Sequence, residues 1–398
     1  MKVLKIQASG FKLFENEINI DLYAKQRVSA DKNEMLTNVF SNIYTNNVIS
    51  MVGINASGKT TTLKVILFVL QMLKNEPINK IEHKDILEGI EEDGEVNFNI
   101  YFVADNEKLT KLSTVIKAKT DTTEIKKESS TKYYISSEKI WTKSFGSVRS
   151  KNDLLDFSNI EPESERNDDA PFLLEDVSII VALNKQHNNQ VFVIDTMHST
   201  DINSLGAFGE YPTELVQFLD PSIEYLKCDV FGENKSKMEM RLKFYGKNEI
   251  IANSEEGIYK YLSSGTIKGI SVFSAACFVL QLGGYLVIDE LENHFNKEIV
   301  SSLIRFFMDS DVNKSGAVLI FSTHYVELLD ILERNDSVFV IKNKNGITIE
   351  NLSDLLKRND VKKSDLFQNG YLENTTPSYE SYINIKRFIV ETLVDSEV

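Results

Sequence analysis

The sequence predicts an α/β fold, a mixed sheet with helices arranged around a phosphate-binding loop, and three segments carry that expectation. Residues 53–60 read Gly-Ile-Asn-Ala-Ser-Gly-Lys-Thr, after the apolar run Val48–Val52 and ahead of a helical stretch. Tyr285-Leu-Val-Ile288 has the pattern of a buried strand and ends in Asp289-Glu290. Val318-Leu-Ile-Phe321 has it too, and runs into Ser322-Thr323-His324.

The loop pattern Gly-x4-Gly-Lys-Thr is specific because so many positions must agree. In Thr60–Lys74, Leu63, Ile66, Leu67, Leu70 and Leu73 recur at helical spacing, and Pro77 stops the helix. A strand, a glycine loop and a helix aim successive backbone N–H groups and a helix N-terminus at a polyphosphate. Gly53 and Gly58 permit the tight turn, Lys59 reaches the β and γ phosphates, and the Thr60 hydroxyl is a magnesium ligand. An empty structural turn of the same composition is the bland alternative, and the flanks argue against it. The segment implies nucleoside triphosphate binding.

Asp289 is placed to hold the magnesium shell and Glu290 to polarise the attacking water as general base. Val191–Asp195 (Val-Phe-Val-Ile-Asp) has the same shape, but Thr196 replaces the second acid, so it reads as a plain strand end. Leu262-Ser-Ser-Gly-Thr266 opens an apolar stretch with the character of a buried helix. Small residues there leave N–H groups for a second anion, although a Ser N-cap alone would look the same. A His at the end of a strand, as at His324, can sense a γ-phosphate. His83, His187 and His198 have no partners at ligand spacing in the sequence and are assigned no role.

With these residues in this order, the chain resembles the ABC-type ATPase superfamily over about residues 1–105 and 255–350. Gly53–Thr60 matches Walker A, Leu262–Thr266 the signature motif and Leu286–Glu290 Walker B. Leu291–His294 matches the D-loop region, with Glu292 in place of its Asp, and His324 matches the switch histidine. The signature reads Ser-Ser-Gly-Thr instead of Ser-Gly-Gly-Gln, and no glutamine after Val96–Phe102 fits a Q-loop. The resemblance implies ATP and Mg2+ as cofactors. Gly53, Asn55, Ser57, Gly58, Lys59, Thr60 and Thr61 would contact the nucleotide, Thr60 and Asp289 the metal. Lys59, Glu290 and His324 would act catalytically. It also implies a head-to-tail homodimer, with Ser263 and Gly265 of one subunit closing over the partner's nucleotide.

Met1-Lys-Val-Leu-Lys-Ile, Gly10–Phe14 and Asn55 look like the SMC, RecF and OLD-like branch. Together with the hairpin pattern of Ser337–Glu350, the motifs look most like the bacterial AAA/ABC ATPases of phage defence. That group includes the abortive-infection ATPases, AriA, PtuA and the ATPase half of OLD nucleases. The resemblance therefore implies a sensor or switch controlling a separate effector, a nuclease or toxin from a neighbouring gene. The alternatives are a RecF- or SMC-like repair ATPase binding DNA directly and, ranked lower, a transporter's nucleotide subunit.

Composition bounds the rest. The chain has 398 residues, 42% of them hydrophobic, enough for one to three domains with a core. Cys228 and Cys277 stand apart and suggest neither a disulfide framework nor a zinc site. No signal-peptide pattern follows Met1. Ile267–Ile288 is apolar but broken by Lys268, Gln281 and Gly283-Gly284, so it reads as the signature helix plus the Walker B strand instead of a membrane span. A cytoplasmic protein is expected. The net charge of −15 argues against a surface devoted to nucleic acid, which needs clustered Lys and Arg.

Four segments are expected. Residues 1–105 and 255–350 form the ATPase head, 106–254 a compact inserted α+β or helical lobe, and 351–398 a C-terminal docking segment. Within the lobe, Lys111–Lys143 has short β-like runs, and Glu161–Asp169 reads as a surface loop. Met238, Met240, Leu242 and Phe244 alternate with charges as in a half-buried strand. No heptad pattern is sustained, so long coiled-coil arms are not expected. Tyr382, Ile385, Ile389 and Leu393 form a mostly helical stripe near the end.

Overall fold

Two six-stranded sheets sandwich the helix that follows the phosphate loop. The structure, a computed structural model, describes residues 1–29, 35–91, 94–104, 107–121, 130–166, 173–187, 191–197, 209–231, 237–293, 295–358, 360–369 and 379–395. His198 and His294 lie outside the described residues.

The first sheet runs Val193–Asp195, Tyr285–Ile288, Val318–Thr323, Val48–Val52, Val338–Asn343 and Ile347–Asn351. Its first five strands are parallel, and the last pairs antiparallel as the expected hairpin. Tyr285–Ile288, Val318–Thr323 and Val48–Val52 are buried at every position, which is why they read as unbroken apolar runs. Alternate residues serve two cores. Ile49, Met51, Val287 and Ile320 pack on one face, Val48, Val52, Leu286 and Leu319 on the other.

The first of those cores also holds the helix Lys59–Leu73 and the second sheet. That sheet is an antiparallel meander in the order Ile18–Asp21, Lys2–Ser9, Glu95–Val103, Lys108–Asp121, Ser130–Ser144 and Ser164–Glu165. Eleven of the helix's fifteen residues are buried, and Thr60, Lys64 and Gln71, which are not, share one narrow face. The second core is filled by the helices Ser264–Leu282 and Lys297–Met308.

The boundary expected at 105/106 does not follow the sheets. Phe102 pairs with Thr110, and Leu112 with Ile140, so the Thr- and Lys-rich strands continue the N-terminal meander. Glu161–Asp169, expected as a loop, supplies the strand Ser164–Glu165 against Lys139 and Ile140. Val193–Asp195 likewise joins the parallel sheet. A separate small core forms later, where Gly209–Glu210, Ile223–Phe231, Lys237–Phe244 and Ile250–Ala252 make a four-stranded antiparallel sheet. Met240 and Leu242 point into it as their alternation predicts, and Ile267 and Ile270 join it from the start of Ser264–Leu282. The small sheet is thereby packed onto the helix Ser264–Leu282.

By length and composition Ser264–Leu282 is apolar enough to cross a membrane. Here Val272, Phe273, Ala276 and Val279 fill the second core beside Leu286 and Ile288. Gly283 and Gly284 then turn the chain at φ 75° and 125°, and a Cβ at Gly284 would lie 2.2 Å from the Phe192 carbonyl oxygen. Only glycine allows so tight a step from helix into the Tyr285 strand. The C-terminal helix Tyr379–Asp395 leaves Tyr382, Ile385 and Ile389 exposed, and Leu393 lies outside the described side chains.

Candidate functional site: a phosphate loop wired to two carboxylates and a histidine

Strand register assembles the site. Ile288 pairs with Phe321 and Thr323 with Val52, so Asp289 falls beside Ser322 and His324 beside Gly53. Residues far apart in sequence therefore share the C-terminal edge of three parallel strands, the usual location of a ligand crevice in open α/β sheets.

The loop bends through left-handed backbone at Ala56 (φ 60°) and Gly58 (φ 100°). Gly58 caps the helix without any side-chain acceptor, so the first-turn N–H groups point outward uncapped. The Ser57 hydroxyl is buried with no hydrogen-bond partner among the described residues. Asn55, Ser57, Gly58, Lys59, Thr60 and Thr61 line a cavity of about 320 Å³ with Glu290, His324, Asn343 and Ile347. Free N–H groups, a helix N-terminus and a lysine around one cavity suit a polyphosphate.

Lys59 is buried, and its ammonium lies 3.0 Å from the Gly53 carbonyl, 3.1 Å from that of Ile54 and 3.2 Å from His324 Nδ1. Burial lowers its pKa, while the Asp289, Glu290 and Glu292 carboxylates act in the opposite sense. An ammonium can only donate, so Nδ1 accepts and the His324 ring carries its proton on Nε2. Nε2 then donates to Glu290 Oε1 at 3.1 Å. That hydrogen bond is the main reason the Glu290 carboxyl titrates below its ordinary range; partial burial opposes it and the amide of Asn293, 2.6 Å from Oε2, reinforces it. Glu290 is thus held ionised with both oxygens oriented. Its backbone sits at φ 49°, a strained conformation for a non-glycine residue.

The Thr60 hydroxyl donates to Asp289 Oδ2 at 2.7 Å, and Asp289 Oδ1 accepts from the Ser322 hydroxyl. The Ser322 hydroxyl oxygen also accepts the Glu290 backbone N–H at 2.7 Å. Thr60 and Asp289 present hard oxygen donors side by side, a donor set that suits Mg2+. Glu292 is 5% exposed and accepts the backbone N–H of His324 at 2.5 Å, while its Oε2 is buried without a partner among the described residues.

The structure therefore brings together Gly53, Asn55, Ser57, Gly58, Lys59, Thr60, Thr61, Asp289, Glu290 and His324. Ser263 and Gly265 are not among the residues lining the cavity. Ser263 caps Ser264–Leu282, accepting the Thr266 N–H at 3.0 Å, and its exposed side chain leaves the helix start accessible. Sequence reasoning missed Ser322, Asn293 and the inward turn of Glu292. It also gave no role to His83 and treated Asp195 as a plain strand end, yet His83 Nε2 lies 2.5 Å from Asp195 Oδ2.

Residues 48–330, well over half of the chain, match the family described as AAA domain, putative AbiEii toxin, Type IV TA system. The chain belongs to that family. It is a P-loop ATPase-type protein, and the match spans the phosphate loop, Asp289, Glu290 and His324. Comparison with curated proteins finds no match. Among solved structures, the chain is similar to one titled "Crystal structure of the SmcHead bound to the C-winged helix domain of ScpA", with a TM-score of 0.43 and 14% identity. The alignment covers 90% of this chain and 100% of that one.

Proposed function

We propose that this chain binds ATP with Mg2+ and hydrolyses it, and that hydrolysis drives a cytoplasmic switch in a bacterial anti-phage defence system. The observation that carries the reading is the continuous relay Lys59, His324, Glu290, which couples the phosphate-holding ammonium to an ionised, oriented carboxylate. Glu290 takes the proton of the attacking water. His324 holds it in line, and Asn293 fixes its second oxygen. Lys59 and the uncapped N–H groups after Gly58 hold the phosphates. Mg2+, held by Thr60 and Asp289, would neutralise charge on the phosphate oxygens.

Ser263 and Gly265 lie outside the cavity of their own chain and stay accessible, which supports a composite site closed by a second copy in a homodimer. A separate effector, a nuclease or toxin from a neighbouring gene, receives the signal. The family's description, a putative toxin of a toxin–antitoxin system, supports a role in such a module over that of a transporter subunit.

Glu290→Gln tests the core of this. The amide keeps the shape but not the basicity, so ATP binding should persist while turnover falls by roughly 10²–10⁴-fold. Lys59→Ala should instead lose ATP binding. A Glu290→Gln variant that hydrolyses ATP at the wild-type rate removes the assignment, and co-purification with neighbouring gene products tests the effector.

A further inference from the structure

Away from the phosphate loop, two distant segments bring metal-binding chemistry together. Glu82 and His83 follow the helix Lys59–Leu73, just before the short turn Lys84–Leu87. Asp195 ends the strand that borders Tyr285–Ile288. The His83 ring is 1% exposed, and its Nε2 lies 2.5 Å from Asp195 Oδ2. The other Asp195 oxygen accepts the Met197 N–H at 2.8 Å, which fixes the carboxylate plane. Glu82 is exposed and closes the set. One ligand atom from each of Glu82, His83 and Asp195 lies within 4.8 Å of the others.

Two carboxylates this close repel one another unless positive charge lies between them. A metal ion supplies that charge and can take one ligand atom from each of the three groups. We propose that Glu82, His83 and Asp195 bind a divalent transition-metal ion, Zn2+ or Mn2+. The ion would tie the segment after the phosphate-loop helix to the strand beside Tyr285–Ile288. One imidazole nitrogen and two carboxylate oxygens suit these ions. Bonds of about 2.0–2.2 Å to a four-coordinate ion put ligand atoms roughly 3.5 Å apart. His83 and Asp195 must therefore separate by about 1 Å as the ion replaces the proton between them, and water takes the fourth position. None of the three residues belongs to the nucleotide site, so the proposal stands apart from ATP hydrolysis.

The test uses the full chain, stripped with a chelator and titrated with Zn2+ or Mn2+ in the absence of nucleotide. Wild type should take up one ion per chain and gain thermal stability with it. Glu82→Ala lies at an exposed position, so the variant keeps the fold, and it should bind the ion at least tenfold more weakly. Asp195→Asn should bind more weakly too. Glu88→Ala, which removes an exposed carboxylate outside the set, should bind as wild type does. Equal binding by wild type and Glu82→Ala, no binding by wild type, or loss of binding in Glu88→Ala would each overturn the site.

Discussion

Glu292 offers the sharpest test of how the catalytic edge is held. Its carboxylate fastens the chain at His324 from below, through the His324 N–H, and is almost fully buried. Glu292→Ala deletes a hydrogen bond to a charged acceptor, a loss of about 1.5–3 kcal/mol. It also deletes the buried, unpartnered Oε2, whose desolvation costs about 1–3 kcal/mol, so the two effects nearly cancel. Global stability should change by no more than about 2 kcal/mol. Catalysis has no such offset. With its backbone anchor gone, His324 drifts relative to Glu290 and Lys59, and a displacement near 1 Å costs on the order of 10²-fold in rate. Phosphate release measured across an ATP titration should show kcat down by roughly 10–100-fold with KM little changed, and thermal melting should confirm the fold. Glu292→Gln keeps an acceptor oxygen and should recover most of the rate. If Glu292→Ala turns over within twofold of wild type, or Glu292→Gln is as slow as Glu292→Ala, Glu292 does not position the histidine.

Other perturbations follow from the same geometry. Gly58→Ala puts a Cβ 2.5 Å from the Ile347 Cδ1 atom at φ 100°; left-handed strain of about 1–2 kcal/mol and overpacking of about 1–3 kcal/mol should appear together in denaturant unfolding. Adding Ile347→Ala should relieve only the steric part, and a Gly58→Ala protein as stable as wild type contradicts the reasoning. Gly265→Arg should abolish hydrolysis while ATP binding remains, and mixing it with Lys59→Ala subunits should restore part of the rate; full activity in homogeneous Gly265→Arg would reduce Ser263 to a helix cap. Burial brings the Lys2 ammonium down to about 8 from 10.5. Between those values the unfolded chain holds the proton that the folded one has released, so stability rises with pH across that window, by at most about 3 kcal/mol in total. Lys2→Met should be the more stable protein at pH 7 and should lose that rise, and parallel wild-type and variant curves between pH 8 and 10 would show that Lys2 is not the titrating group.

How legible each part was depended on how locally its chemistry is written. The phosphate loop occupies consecutive residues, and its glycines, Lys59 and Thr60 are fixed by the requirements of one turn, so sequence alone located it. Asp289, Glu290 and His324 were legible because each follows a fully buried strand, and strands of one sheet end at one edge. What the sequence could not state was which strands are neighbours. Ser322 meets Asp289 only because Val318–Thr323 lies between Tyr285–Ile288 and Val48–Val52. The pairing of Glu292 with the His324 backbone depends on the same order. The boundary at 105/106 failed for a related reason. Lys108–Asp121 and Ser130–Ser144 carry many lysines, serines and threonines, which resemble a separate polar lobe until the meander shows that Leu112, Ile116 and Ile140 point into the shared core. His83 and Asp195 are the extreme case. Each looks ordinary in its own segment, and only the placement of Val193–Asp195 beside Tyr285–Ile288 turns a plain strand end into half of a buried histidine–carboxylate pair. Chemistry carried by one turn can be read from the chain, whereas chemistry carried by strand order has to be built before it can be seen.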